Sequence, residues 1–332
     1  MTSESGRRVV YVAMASAAVL ILGAGAATLI DNGVATESAV QPSATTDETP
    51  GTDVTSPTPE PADTSEPGAT PDKTLYGASF MRRQGEGYQK ALRRTDATLG
   101  KLGVVRVFYR RVPKPWPGKA AGRDVIVSFR LDPARVLAGD FDAYMRNWFA
   151  TTPISVNVYW TNYHEPEDEI EAGRFTASQF RASFEHLDRL AKEAANPRLK
   201  STVVLMSWSA RPASGRKWRS YVPDPASVDV LAWDIYNRRR DVYPDPVALL
   251  EAAQHDSETI GKPFAIAELA SVLGRGDKGS GRAEWLKAMA AFAEEHDAAF
   301  VSYFDMLWND GHDDFRLQDA PSINAWKALS GD

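Results

Sequence analysis

Val228-Asp-Val-Leu-Ala-Trp-Asp-Ile-Tyr236 and Phe264-Ala-Ile-Ala-Glu268 are short runs of β-branched, aromatic and small apolar residues. Runs of this length and composition are typical of strands that are buried on both faces. Six similar runs lie before and after this pair, at residues 76–80, 104–109, 124–129, 154–160, 202–208 and 300–308. The chain therefore has eight predicted strands.

Helix signals separate several of these strands. Thr176-Ala-Ser-Gln179 has the pattern of a capping box, Asp245-Pro246 is typical of a helix start, and an apolar stripe at helical spacing runs from Trp285 to Phe292. Eight strands with interleaved helices in about 250 residues predict an α/β fold, a (β/α)8 TIM barrel. The alternative is a doubly wound open sheet, which usually has a glycine-rich phosphate turn after its first strand. Gly85-Glu-Gly87 matches such a turn poorly.

The N-terminal part of the chain contains an apolar segment. It begins at Val9, directly after Arg7 and Arg8, and ends at Ile30, with 22 residues and no charge. A helix of this length can cross a membrane, and the flanking charges favour an inside N-terminus and an outside domain. The alternative is a cleaved signal peptide, because the small residues 24–26 offer a cleavage site. We expect a cell-surface domain anchored in the cytoplasmic membrane, or a secreted one after cleavage.

A linker of biased composition follows. Of the 38 residues from 35 to 72, 20 are Pro, Ser or Thr, eight are acidic, and none is aromatic or basic. Such a segment cannot bury enough apolar surface to offset its chain entropy, so it is predicted to be disordered. The predicted organisation is a membrane anchor or signal segment at 1–34, a linker at 35–75 and the barrel at 76–332.

The charge of the chain is concentrated in this N-terminal part. The first 75 residues carry three basic and ten acidic residues, whereas the remaining 257 carry 35 and 34. A nearly neutral domain argues against nucleic acid as a partner. The chain has no cysteine, which excludes disulfides, a cysteine nucleophile and cysteine-based metal sites. We expect a monomer that needs no cofactor and no metal.

In a TIM barrel, functional side chains lie at the carboxyl ends of the strands. The polar and aromatic residues at these predicted ends are Arg106, Ser128, Arg130, His164, Glu165, Trp208, Asp234, Tyr236, Glu268 and Trp308. Glu268 is predicted to close its strand, where alternation puts it on the same side as Phe264 and Ile266. A carboxylate on an apolar strand is costly to bury, so it must be functional or part of a structural ion pair.

Glu165 directly follows the predicted fourth strand, next to His164. The run that follows it, Pro-Glu-Asp-Glu, is acidic, and such a run is usually a solvated loop. The position of Glu165 at a strand end favours a functional role. Two carboxyl groups at the ends of opposite strands can flank a glycosidic bond, one as proton donor and the other as nucleophile or base.

Aromatic side chains near the same ends offer flat faces for sugar rings. They are Trp160, Tyr163, Trp208, Trp233, Tyr236 and Trp308. Trp308 is the best candidate because it ends the last predicted strand. Trp233 lies inside its strand, so core packing is the better interpretation there.

These residues resemble those of the clan A retaining glycoside hydrolases, and most closely glycoside hydrolase family 26, which is β-mannanase-like. His164-Glu165 is similar to that family's pair, in which His precedes the acid/base Glu. The run from Val228 to Asn237 is similar to its strand six, and Ala265-Ile-Ala-Glu268 to its strand seven. Trp308 resembles the tryptophan on strand eight of the clan. The resemblance covers residues 76–330.

The resemblance implies a role for each matched residue. Glu165 would be the acid/base and Glu268 the nucleophile, with the Tyr236 hydroxyl holding the nucleophile. Trp308 would form the floor of the −1 subsite. Substrate contacts are also expected from four further residues, namely His164, Trp208, Asp234 and Arg130.

Two departures from the family concern the substrate. The acidic run after Glu165 stands where mannan-cleaving members have Trp-rich sequence, and Ser128 and Arg130 stand where strand three would end in His. We therefore expect an exported, membrane-tethered retaining glycoside hydrolase that cleaves a β-mannan or another β-linked polysaccharide. The alternative is an inactive carbohydrate-binding barrel that serves as a surface-attachment module.

His312 with the aspartates at 310, 313 and 314 could hold a metal, although a polar turn is the favoured interpretation.

Overall fold

The computed structural model of the protein describes residues 73–116, 122–308 and 312–331. The segment from Val9 to Ile30 and nearly all of the predicted linker lie outside these ranges. Within them, no helix combines the length and the apolar character needed to cross a membrane.

Eight parallel strands form a closed barrel in which every strand pairs with the next one along the chain. They are β1 (Leu75–Phe80), β2 (Val104–Phe108), β3 (Asp124–Phe129), β4 (Val158–Asn162), β5 (Leu199–Met206), β6 (Val230–Asn237), β7 (Phe264–Ser271) and β8 (Phe300–Asp305). The ring closes where β8 pairs with β1 along the full length of both strands. The predicted TIM barrel is confirmed, and an open sheet is excluded because no strand of the barrel has a free edge.

Helices surround the barrel. They are α1 (Tyr88–Leu99), α2 (Pro133–Leu137), α3 (Asp142–Ala150), α4 (Glu167–Glu171), α5 (Ala177–Glu193), α6 (Pro246–Thr259), α7 (Ser280–Glu295) and α8 (Ala320–Ser330). The alternation of strand and helix is incomplete. The described residues between β2 and β3 contain no helix, and β5 is followed by four short 3₁₀ turns.

The predicted helix starts are confirmed by their hydrogen bonds. The Gln179 backbone N–H donates to the Thr176 hydroxyl at 3.1 Å, and the Thr176 N–H donates to the Gln179 side chain at 2.9 Å. At the start of α6, the Val247 N–H donates to the Asp245 carboxylate at 2.9 Å. Each bond satisfies a backbone donor that the first turn of a helix leaves free.

The interior of the barrel is layered. An apolar cluster fills one end and includes Val104, Ile126, Val204 and Phe300. One step further along the strands, alternation directs a layer of buried polar side chains inward: Ser79, Arg106, Ser128, Thr161, Asp234, Glu268 and Ser302. The apolar cluster closes the barrel from one side, so these polar groups can meet substrate only from the carboxyl ends of the strands.

A bulge in β7 gives Glu268 its direction. The partners of Trp233 and Asp234 on β7 are Ile266 and Glu268, so Ala267 is an extra residue at this point of the pairing. Phe264 and Ile266 pack in the outer layer, between the barrel and the helices. The expectation that Glu268 shares their side of the strand is therefore wrong, because the bulge turns Glu268 inward. The strand also continues beyond Glu268 to Ser271.

Strand β4 differs from its prediction as well. It runs from Val158 to Asn162, so it begins four residues after the predicted start at residue 154. Residues 151–157 form turns and irregular structure instead. The shift brings the carboxyl end of β4 directly before Tyr163, His164 and Glu165, which is where the barrel architecture requires functional residues.

Gly77 in β1 is the tightest point of the barrel wall and gives a first prediction. A Cβ atom at Gly77 would lie 1.7 Å from the carbonyl oxygen of Val104 on β2. Gly77→Ala must therefore push β1 and β2 apart, and we expect it to lower the free energy of unfolding by about 3 kcal/mol or more. Urea denaturation of the full chain measures this loss.

Gly87→Ala is the matched control, because a Cβ there would meet nothing within 4 Å. Its effect should stay within about 0.5 kcal/mol. Equal stability of the two variants would show that β1 and β2 do not approach each other this closely.

Candidate active site

Glu268 is held by two donors inside the barrel. Arg106 Nη2 on β2 donates to Glu268 Oε1 at 2.9 Å, and the hydroxyl of Tyr236 on β6 donates to Oε2. The Arg106 side chain is fully buried, and that of Glu268 is 3% exposed. A buried charge requires such compensation, because removing either partner leaves the other uncompensated. Both oxygens of Glu268 are thereby fixed at the carboxyl end of the barrel.

Tyr236 remains a hydrogen-bond donor at all ordinary pH values. Burial is the main cause that raises the pKa of the Tyr236 hydroxyl well above its usual range, and the charge of Glu268 adds to it. The ring packs against Phe304 and Phe315, with centroid separations of 5.7 and 5.3 Å. The structure therefore supports the predicted contact between Tyr236 and Glu268.

Glu165 lies directly after β4, three strands away from β7 around the ring. It is partly exposed and has a left-handed backbone with φ of 51°. Its backbone N–H donates to the Val204 carbonyl on β5 at 2.9 Å. Burial is the main cause that raises the pKa of the Glu165 carboxyl to about 8, and the charge of Glu268 is the next. Glu165 is therefore largely protonated at neutral pH, whereas Glu268 is paired with a guanidinium.

His164 and Arg130 lie beside Glu165. The His164 ring packs on Phe108 at a centroid separation of 5.4 Å. Burial lowers the pKa of His164 well below 6.5, and the charges of Arg106 and Arg130 act in the same direction. The imidazole is therefore neutral. Arg130 is bound to Glu169 at 2.9 Å and lies over the Tyr163 ring.

Asp234 lies beside the nucleophile candidate. It pairs in register with Glu268 on the neighbouring strand and is 3% exposed. Neither carboxyl oxygen has a hydrogen-bond partner among the described residues. Burial raises the pKa of Asp234 well above its usual value, and the charges of Glu268 and Glu165 add to the effect. Burial and the neighbouring negative charges thus favour the protonated form of Asp234.

Two of the predicted aromatic platforms are exposed. Trp208 lies in the 3₁₀ turn that follows β5 and is 46% exposed, and Trp308 lies after β8 and is 54% exposed. Trp160 and Trp233 are fully buried. Trp160 stacks on Phe184 of α5, so its assignment as a sugar platform is wrong. Trp233 belongs to the core as expected.

The structure also gives roles to two residues that the sequence left without one. Arg106 supplies the positive charge that pairs with Glu268. Its inward direction could have been predicted from the alternation of the strand, because Arg106 lies between Val104 and Phe108 on the inward side. Glu167 is fully buried, so the interpretation of the entire acidic run as a solvated loop is wrong at this position. Nothing in the run distinguishes Glu167 from its exposed neighbour Asp168.

The aspartates of the turn after β8 form ion pairs with arginines. Asp313 lies 3.6 Å from Arg238, and Asp314 binds Arg316 at 2.8 Å. Asp310 lies outside the described residues. Among the residues that the structure does describe, no group of three His, Asp or Glu side chains is arranged to hold a metal ion.

Comparison with known proteins shows a likeness of fold. No protein-family model matches the sequence, and the search of curated proteins finds no match. Among solved structures, a family 26 β-mannanase from Bacteroides ovatus has 12% identity and a TM-score of 0.52 over 78% of this chain and 89% of that one. The catalytic domain of a family 26 endo-β-1,4-mannanase from Bacillus sp. JAMB-750 has 12% identity and a TM-score of 0.54 over 79% and 87%.

A third neighbour is the family 26 domain of an endo-β-mannanase/endo-β-glucanase from Prevotella bryantii, with 9% identity and a TM-score of 0.54 over 79% of this chain and 90% of that one. At such low identity the likeness is one of fold. The predicted resemblance of the barrel to glycoside hydrolase family 26 is confirmed at that level.

The buried pair of Arg106 and Glu268 gives a second prediction. Arg106→Met removes the cation and leaves the carboxylate buried, so we expect a loss of about 3–5 kcal/mol in unfolding free energy. Urea denaturation measures it. The double variant Arg106→Met/Glu268→Gln also removes the uncompensated negative charge of Glu268, so it should recover part of the lost stability.

Arg135→Met is the control for an ion pair at the surface. Arg135 and Asp140 lie 2.7 Å apart, but their side chains are 62% and 41% exposed. This change should cost less than about 1 kcal/mol. If Arg106→Met were equally mild, Arg106 and Glu268 would not form a buried pair.

Proposed function

We propose that the barrel is a retaining glycoside hydrolase, with Glu165 as the acid/base and Glu268 as the nucleophile. The carrying observation is the contrast between the two carboxyl groups at the ends of β4 and β7. Burial keeps a proton on Glu165, whose pKa is raised to about 8, and the Arg106 guanidinium compensates the charge of Glu268. A protonated carboxyl group together with a second carboxyl group held by a guanidinium is the combination that hydrolysis by double displacement requires.

In the first step, Glu268 attacks the anomeric carbon and the glycosidic C–O bond breaks, while Glu165 transfers its proton to the leaving oxygen. In the second step, Glu165 takes a proton from water, which attacks the same carbon and displaces Glu268. Tyr236 and Arg106 hold the attacking carboxylate in place through both steps. The products are two shorter sugar chains, and Glu165 has its proton again.

The surrounding residues are suited to hold sugar rings. The exposed Trp308 follows β8, next to the nucleophile strand, and we assign it to the −1 subsite. The exposed Trp208 follows β5, next to the acid/base strand, so it lies on the side where the leaving group departs. His164, Asp234 and Arg130 offer polar groups to sugar hydroxyls between them.

A β-mannan is the first substrate to test. The family 26 neighbours are mannanases by description, and one is also an endo-β-glucanase. The exchange of Trp-rich sequence for an acidic run after Glu165 argues for including other β-glycans. Turnover on a panel of soluble β-mannan, β-glucan and xylan, with analysis of the products, tests the enzyme against a barrel that only binds carbohydrate.

We further propose that the enzyme acts outside the cell as a monomer. The support is the uncharged segment from Val9 to Ile30 and the Thr/Pro-rich sequence that follows it. Protease treatment of intact cells tests this proposal. Loss of the domain together with retention of an N-terminal fragment in the membrane fraction is expected for a tethered enzyme.

The two carboxyl groups should respond differently to mutation. Glu268→Ala removes the nucleophile, so hydrolysis of every substrate should fall by at least about 10⁴-fold. Glu165→Ala removes the proton donor, which matters for a sugar leaving group but little for an acidic phenol. On an aryl glycoside the Glu165 variant should give a burst of phenol, a slow steady state and a low apparent KM, because only the second step needs its base.

Glu169→Ala is the control within the same acidic run, because Glu169 is paired with Arg130 and has no assigned proton-transfer role. If the Glu165 variant retained its activity on polysaccharide, or lost both substrates equally, Glu165 would not be the acid/base.

The pH–rate profile should be bell-shaped with a basic limb near pH 8. The protonated form of Glu165 is the active one, and its pKa is raised to about 8 by burial and by the charge of Glu268. Activity on polysaccharide should therefore fall as the pH rises through this value. Measurement of kcat/KM from pH 4 to 10 checks it, and a basic limb below pH 6 would contradict the assignment.

A further inference from the structure

Glu167 is a carboxyl group that the proposed reaction does not use. It is fully buried, two residues after Glu165, at the start of α4. Glu167 Oε1 accepts hydrogen bonds from the Met206 backbone N–H at 2.9 Å and from the Ser209 hydroxyl at 2.8 Å. Oε2 has no hydrogen-bond partner among the described residues. A buried carboxyl group is costly, so its place beside the proton donor requires a reason.

The chain around Glu165 has an unusual backbone. Tyr163 and Glu165 both have positive φ, at 55° and 51°. For residues with a side chain this conformation costs about 1–2 kcal/mol each, and it persists only where the surroundings fix it. The Tyr163 N–H donates to the Phe129 carbonyl and the Glu165 N–H to the Val204 carbonyl, both at 2.9 Å.

The Glu167 side chain also attaches this segment to β5. Its two hydrogen bonds reach Met206, the last residue of β5, and Ser209 in the turn that follows. Together with the bond to Val204, they fasten the segment 165–167 to one strand end at three points. Arg216 reinforces this region, because it contacts the Ser209 hydroxyl at 3.4 Å and is ion-paired with Asp168 and Glu171.

We propose that Glu167 is a positioning residue for the acid/base: its carboxylate docks the left-handed segment onto the end of β5 and thereby holds Glu165 ready to protonate the leaving group. This inference rests on the proposed function. The exchange of Pro-Glu-Asp-Glu for the family's usual sequence after Glu165 then supplies this chain with its own means of fixing the proton donor.

Glu167 also acts on the proton of Glu165 by its charge. Burial raises the pKa of Glu167 to about 7, against the lowering effect of its hydrogen bonds and of Arg216. Above that pH its negative charge is present, and it contributes to the raised pKa of Glu165, after burial and Glu268. The other titratable or charged groups around the two residues are Asp168, Asp234, Tyr236, Arg130, Arg216 and Tyr221.

Glu167→Gln separates the charge from the hydrogen bonds. The amide oxygen can still accept from Met206 and Ser209, but the negative charge is gone. The basic limb of the pH–rate profile should therefore move down by about one pH unit, with kcat near pH 6 kept within about threefold. Glu171→Gln is the matched control, because Glu171 lies in the same helix and binds Arg216 but is exposed. Its profile should not move.

Glu167→Ala removes the docking as well. Activity on polysaccharide should fall by about tenfold or more, while the single-turnover rate of phenol release from an aryl glycoside stays within about threefold of wild type. This split separates positioning of the proton donor from a general loss of folded enzyme, which would lower both. Should Glu167→Ala fail to fold, the pH profile of Glu167→Gln still decides.

The outcomes distinguish this inference from the proposed function. Active wild-type enzyme with unchanged profiles in both Glu167 variants would overturn the role of Glu167 alone. If the wild type turned over no glycan, the acid/base assignment would fail first. The ¹³C titration of the Glu165 carboxyl, assigned with Glu165→Gln, would then still test whether the charge of Glu167 raises the pKa of Glu165. An equal titration midpoint in wild type and Glu167→Gln would refute this effect.

Discussion

A single ion pair inside the barrel governs the arrangement of the site. Arg106 and Glu268 come from β2 and β7, and both are excluded from water. Neither charge can be buried alone, so the two strands, the bulge in β7 and the Tyr236 hydroxyl must be in place together. The apolar cluster fills the barrel beneath them, and the nucleophile candidate is therefore fixed by contacts within the barrel itself.

The candidate proton donor is built in a different way. Glu165 lies on a loop, with a strained backbone, and its direction depends on hydrogen bonds to β5 and on the buried carboxyl of Glu167. One half of the site is thus part of the barrel wall, while the other half is attached to it. This division suits the proposed chemistry, in which the nucleophile stays in place while the acid/base exchanges a proton with two different oxygens.

The sequence predicts the repeating parts of this structure well. Strand composition gives all eight strands, and the Thr176 and Asp245 caps mark two helices, because these signals are local. Glu165, Glu268 and Tyr236 become candidates from their predicted places at strand ends, and the structure shows the contact between Tyr236 and Glu268. The bulge is missed, since an extra alanine leaves no trace in an alternating pattern of small apolar residues. The burial of Glu167 is missed because its partners lie some 40 positions away, at Met206 and Ser209.

The bulge at Ala267 bears on which sequence changes β7 can accept. Exchanges among small residues at positions 265–267 leave the direction of Glu268 unchanged as long as the bulge remains, whereas regular alternation of the same residues would turn the carboxylate outward to the helices, away from Arg106. The direction of the carboxylate therefore depends on the bulge more than on which small residues form it. The barrel architecture as a whole tolerates far wider change, because solved neighbours of the same fold are only 9% to 14% identical to this chain.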